Sequence, residues 1–211
     1  MEVSSKTDVS AMYDATAASY AKMMQQEITQ PKYADVLGRL ASRIGDVSGT
    51  VVDTSCGSGH MLAMYHAQYD ASRALIGIDL SPEMVALSKQ YIGNYSSAIV
   101  GDMCDLASIA SDSAAAVVSF FALHHLDTEG VAAAVKEWHR VLTRGGQLVI
   151  ATWEGEGEID YGSSVDIVAL RYTLDDLVAL IEAVGFNVSR AEVEAVDDMF
   201  MEAIYIEAEK A

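Results

Sequence analysis

The chain has 211 residues, 51% of them hydrophobic, which suits one well-filled core in one domain. Its net charge of −18 is uneven, with 15 acids and three bases after residue 150, and such a field repels phosphate backbones and disfavours a nucleic-acid partner. The two cysteines, Cys56 and Cys104, are too few for a disulfide framework, the start MEVSSKTDVS lacks a signal pattern, and no apolar run reaches the ~20 residues of a bilayer span, so a cytoplasmic protein without a membrane partner is expected. The acidic field also attracts cations and amines, although solubility or adaptation to a salty cytoplasm is the plainer reading.

In chain order, helical patterns cover about Val9–Glu27 and Tyr33–Ile44, broken at Pro31. Thr50–Asp53 reads as a strand, followed by the small-residue loop Ser55–Gly59 and a helix over His60–Tyr69. RALIGIDL (73–80) is a second strand, and SPEMVALSKQYI (81–92) a helix with Ser81 as N-cap and Pro82 at its first position. SAIVGD (97–102) and AAAVVSF (114–120) read as strands, DTEGVAAAVKEWHRVL (127–142) as a helix capped by Asp127, and GGQLVIATW (145–153) as a fifth strand. TLDDLVALIEAVGF (173–186) is a helix with Thr173 at its N-cap and Gly185 at its stop. Two strand-like runs, about Asn187–Val196 and Phe200–Ala208, are separated by DD. This alternation predicts an α/β fold: a Rossmann-like, doubly wound, mostly parallel sheet of seven strands, with one antiparallel strand near the C-terminus. A single domain over 1–211 is expected, with a helical extension over 1–46 and the core over 47–211.

Ligands of such sheets bind beyond the carboxyl ends of the strands. Three carboxylates fall there, Asp53, Asp79 and Asp102, beside a loop whose small side chains let a ligand approach the backbone. Asp79 lies 20 residues after Gly59, as a ribose-binding acid should. SCGSGH nevertheless departs from the dinucleotide pattern, and Asp53 would repel a pyrophosphate. A nicotinamide-dependent oxidoreductase is therefore disfavoured. An adenosine carrying a cation fits better, and S-adenosylmethionine is such a ligand.

VVDTSCGSGH, LIGIDLSPEM, IVGDMCDL, AVVSFFALHHL and EWHRVLTRGGQLVIATW resemble the successive motifs of class I S-adenosylmethionine-dependent methyltransferases, specifically a small-molecule branch. The resemblance spans roughly residues 9–209; Ser55 departs from the family's usual glycine. It implies that Ser55, Cys56, Gly57 and Gly59 lie against the methionine part, with Asp53 acting on its amino group. Asp79 would take the ribose hydroxyls, with Leu80 and Met84 on the adenine. Asp102 would accept from the adenine amine, Met103 would cover the ring, and Ser119 and Phe120 would face the methionine end. Met84 also suits plain core packing beside Leu87.

Methyl transfer to a protonated acceptor needs a base. His124 and His125 follow the fourth strand, and successive residues point different ways, so one of them faces the pocket. Resemblance to phosphoethanolamine methyltransferases implies His125. Tyr13 and Tyr20, seven apart, share one helix face. The family implies that their helix is a lid over the cofactor and that a tyrosine orients the acceptor, so both join the catalytic and cofactor-binding candidates. WEGEGEIDYG (153–162) is short, which implies a small acceptor, with Trp153 and Tyr161 as aromatic walls and Glu154 or Asp160 available to an amine. A solvated turn is the plainer reading of that run. No metal ligand set is present at suitable spacing. SFFA replaces the motif of nucleic-acid base methyltransferases. The expectation is methyl transfer to an O, N or S atom of a metabolite or natural product; the alternative is a non-catalytic module that binds S-adenosylmethionine or S-adenosylhomocysteine.

Overall fold

The computed structural model describes residues 3–161, 166–196 and 201–211. Gly162, the DD pair and Phe200 of the expected elements lie outside them. The elements run α1 (Lys6–Glu27), α2 (Pro31–Arg43), β1 (Thr50–Asp53), α3 (His60–Gln68), β2 (Leu75–Asp79), α4 (Pro82–Ile92), β3 (Ser96–Val100), β4 (Ala114–Phe120), α5 (Thr128–Val141), β5 (Leu142–Trp153), α6 (Leu174–Val184), β6 (Phe186–Ala195) and β7 (Glu202–Lys210). The caps read from sequence form: Ser81 accepts from Met84 N, Asp127 from Gly130 N and Thr173 from Asp176 N, while Gly185 ends α6 in the left-handed region. Helix α1 starts a turn earlier than its apolar pattern because Ser5 caps it through Asp8 N.

The seven strands are ordered β3-β2-β1-β4-β5-β7-β6. Strands β1 to β5 pair in parallel, and β7 runs antiparallel to both of its neighbours, β5 and β6. The expected seven-stranded sheet with one antiparallel strand is what forms. The strand order reverses between β1 and β4, which opens a crevice at their carboxyl ends.

Strand alternation divides the core. Val52, Ile78, Val117 and Leu148 face α5 and α6, packing with Val135, Trp138 and Ile181. Val51, Leu75, Val118 and Val149 face the other layer, with Leu37 and Leu40 of α2, Leu62 and Tyr65 of α3 and Val85 of α4. Arg39 and Arg43 add a polar clamp, reaching Glu207 of β7 at 2.6 and 3.4 Å. Among the described residues no helix is long and apolar enough to cross a membrane.

The small-residue loop is shaped partly by the protein itself. Gly59 has φ 86°, and a Cβ there would lie 2.6 Å from Ser88 Oγ and 3.1 Å from Ser88 Cα on α4. Gly145 shares a positive φ of 76° but has open space around it. Gly145→Ala should therefore lower stability by about 1 kcal/mol through backbone strain alone, and Gly59→Ala by about 3 kcal/mol because overpacking is added. Urea unfolding midpoints of the two variants check this.

Candidate active site

The carboxyl ends of β1 to β4 border a cavity with about 690 Å³ of empty space, part of it open to solvent, and α1 supplies its remaining wall. Asp79, Leu80 and Met84 line one side, Asp102 and Met103 the next, and Thr54, Ser55 and Gly57 the loop side. Phe120, Phe121, Ala122, His125 and Leu126 enclose the β4 end, while Lys6, Val9, Tyr13 and Tyr20 project from α1. A second cavity of about 400 Å³ shares Tyr20, Ser55, Phe120 and Phe121 with the first and adds Asp53, Cys56, Ser58 and His60.

The three strand-end acids differ in environment. Asp79 accepts from Gly57 N at 2.8 Å and from Ser81 N at 2.9 Å, so it ties the loop to the start of α4. Burial raises its pKa above the ordinary carboxylate value, against those two N–H groups. Asp53 is fully enclosed, and burial pushes it up to about 7, with Ser55 N–H opposing and Asp79 adding to the rise. Burial also acts to raise Asp102, but the Lys6 ammonium and Cys104 N–H outweigh it and hold the acid below its ordinary value. Lys6 forms an ion pair with Asp102 at the mouth of the cavity.

His125 is buried on the cavity wall with Nε2 2.9 Å from the Tyr13 hydroxyl. Burial lowers its pKa to about 4 and pushes the Tyr13 phenol well above 10, so near neutrality an uncharged imidazole meets a protonated phenol. The phenol donates to Nε2 when the ring proton sits on Nδ1. Tyr20 stands edge-on to Tyr13, with centroids 6.1 Å apart, and covers Gly57, where a Cβ would meet its ring at 3.2 Å.

Helix α1 is held across the strand ends by polar contacts. Ser10 Oγ donates to Leu80 O at 3.0 Å, and Asp14 accepts from Ser81 Oγ and from Glu83 N.

Most of the expected residues therefore meet around the two cavities, but five do not line the larger one as the reading implied, and one of these, Asp53, lines only the second. Cys56 reaches only the second cavity and packs towards Ser88 and Gly77. Gly59 lies against α4 and lines neither cavity. Ser119 is buried beneath the loop, 3.4 Å from Ser55 Oγ. His124 lines neither cavity, and its carbonyl accepts from Leu170 N at 2.7 Å. Glu154, considered for an amine, instead accepts from Leu174 N at the start of α6, and Trp153 packs on Phe121 at 4.7 Å.

Lys6, Thr54, Phe121 and His60 escaped the sequence reading. Phe121 has φ 49°, a strained value for a non-glycine residue beside the β4 end, and no sequence pattern announces it. Lys6 lies in the extra first turn of α1. Among the described residues no group of three His, Cys, Asp or Glu is arranged to hold a metal ion.

Comparison with known proteins agrees with this fold. Residues 52–150 match a family model described as a methyltransferase domain. An uncharacterized methyltransferase of Bacillus mycoides (strain KBAB4) is 27% identical over 169 residues, covering 78% of this chain and 76% of that protein. The protein described as "the putative methyltransferase" in its complex with the Haloferax volcanii Trm112 methyltransferase activator is 23% identical, with a TM-score of 0.78 over 95% of this chain and 96% of that chain. Magnesium protoporphyrin IX methyltransferase from Synechocystis PCC 6803 with bound SAH is 19% identical, with a TM-score of 0.74 over 98% of this chain and 100% of that one. The chain has the class I S-adenosylmethionine-dependent methyltransferase fold.

The buried acid gives a pH signature. Asp53 ionises near 3.8 when unfolded and near 7 when folded, so the folded state retains a proton that the unfolded state releases. This term destabilises the ligand-free protein increasingly as pH rises from about 4 to about 7, then levels off. Asp53→Asn keeps the shape without the ionisation. Its stability relative to wild type should rise through that window and plateau above it, as measured by thermal unfolding across pH.

Proposed function

We propose that the protein transfers a methyl group from S-adenosylmethionine to an O, N or S atom of a small-molecule acceptor. The observation that carries this reading is the set of three carboxylates at successive strand ends, gathered around adjoining cavities with a neutral histidine on the wall. The acidic surface supports a small acceptor over nucleic acid. A cytoplasmic location is part of the same proposal.

The donor set suits the cofactor. Asp79 retains acceptor capacity for a ribose diol beyond its two main-chain bonds, and Leu80, Met84 and Met103 offer apolar and polarizable surface to a purine. An ammonium beside Asp53 would favour the ionised acid that burial otherwise opposes. Asp102 accepts from Lys6 and from Cys104 N and, like Asp79, retains acceptor capacity, here for an adenine amine. When bound, the cofactor supplies an electrophilic methyl group on a sulfonium.

The remaining work falls to the chain. His125 Nε2 would exchange its Tyr13 partner for the acceptor's proton-bearing atom and accept that proton as the nucleophile develops. Tyr13 would then orient the acceptor, and α1 would exclude water from the cavity.

Calorimetric titration with S-adenosylmethionine and S-adenosylhomocysteine tests the cofactor, and a screen of small amines, phenols and thiols tests transfer. Binding without turnover of any acceptor would favour a non-catalytic binding module. Asp79→Ala should weaken cofactor binding about 100-fold by removing charge-assisted hydrogen bonds. His125→Ala should leave that binding within about twofold and slow transfer about 100-fold or more. Unchanged turnover in this variant would remove His125 from the mechanism. With the His125 pKa at about 4, its limb of the wild-type kcat/KM profile should fall near pH 4, where that of an ordinary histidine would fall near 6.5.

A further inference from the structure

The second cavity contains a histidine whose hydrogen bonding is incomplete. His60 is 3% exposed, lines the cavity and begins α3. Its Nδ1 lies 2.9 Å from Ser58 Oγ and its ring packs on Tyr91 at 4.1 Å, so two contacts hold its orientation. Its Nε2 is buried and has no hydrogen-bond partner among the described residues. When Ser58 donates to Nδ1, the ring proton sits on Nε2 and leaves a buried donor without an acceptor.

Two neighbouring features indicate the missing group. Helix α3 has glycine at its N-cap and no side-chain capping bond, so its first turn presents positive dipole to this region. The acid Asp53 lines the same cavity. A donor at a helix N-terminus suits a carboxylate, and an acid nearby suits an ammonium. An α-amino-acid group carries both.

We propose that His60 binds the carboxylate of the cofactor's amino-acid end while Asp53 takes its ammonium, so that the second cavity selects a complete α-amino acid. This rests on the cofactor reading above and adds to it a residue and a selectivity. His60 distinguishes S-adenosylmethionine from the otherwise identical sulfonium that lacks the carboxylate. Tyr20, Ser55, Phe120 and Phe121, which line both cavities, connect this group to the cavity that holds the nucleoside.

The test is calorimetric titration of wild type, His60→Ala and His60→Gln with S-adenosylmethionine and, separately, with decarboxylated S-adenosylmethionine. Loss of one charge-assisted hydrogen bond should weaken S-adenosylmethionine binding about tenfold or more in His60→Ala. Binding of the decarboxylated ligand should stay unchanged. His60→Gln, which retains an N–H donor, should recover part of the difference. Equal weakening of both ligands, or no weakening of either, overturns the His60 assignment and leaves the cofactor reading intact. Failure of the wild type to bind either ligand overturns both. Imidazole NMR signals of the wild type provide a check that needs no variant. S-adenosylmethionine should shift the His60 Nε2 resonance well beyond the change produced by the decarboxylated ligand, and equal shifts overturn the proposal.

Discussion

The carboxylate of Asp79 ends β2 and takes two main-chain hydrogen bonds, one from Gly57 and one from Ser81. Through the first it positions the loop after β1, and through the second the turn into α4. Two βα units are thus joined at one acid, beside the point where the strand order reverses. The loop can approach so closely because Gly77 on β2 leaves room for Cys56, and Gly59 leaves room for Ser88. Small side chains therefore serve two purposes here. Gly59 satisfies the packing of α4, while Ser55 and Gly57 keep a cavity wall low.

The two N-terminal helices are attached by different forces. Helix α2 buries Tyr33, Val36, Leu37 and Leu40, and its arginines clamp Glu207. Helix α1 is longer but buries only Val9, Ala17 and Met24, and its other attachments are the Tyr13 and Tyr20 rings and polar contacts at the rim of the larger cavity. Few apolar contacts and partly solvated polar ones are the physical basis for local opening. The proposed lid function therefore belongs to α1, with α2 as the fixed support. Lys6 would couple the proposed lid to the proposed cofactor site, because the acid it pairs with is the one assigned to the adenine.

Burial sets the proton chemistry of the site. It keeps His125 neutral, keeps the Tyr13 phenol protonated and raises Asp53 to about 7 without an oppositely charged side chain to offset it. Neutral base and protonated phenol are the states that proton acceptance and acceptor orientation require. Burial raises the pKa of Asp53 with no cationic side chain to offset it, and a bound cation would relieve it. On the proposed reading, stability and ligand affinity are linked at that residue, since an acid kept for an ammonium destabilises the protein while none is bound.

The fold was legible in the sequence because its signals are local. Ser81, Asp127 and Thr173 cap helices through bonds to residues three positions away, and Gly185 stops α6 by its own conformation. The alternation of strands with helical patterns likewise identified a mostly parallel sheet, and acids after three strands marked the carboxyl edge. Side-chain direction at the site was decided by contacts distant in sequence. His125 faces Tyr13, 112 positions away, while His124 turns from the cavity as its carbonyl meets Leu170. Lys6 finds Asp102 across 96 positions, and Gly59 is small because of Ser88. By itself the sequence determined the elements, their order and the strand-end acids. Only the tertiary structure decided which side chains share a cavity and how far each is desolvated, because burial and orientation depend on segments that meet only after the chain has folded.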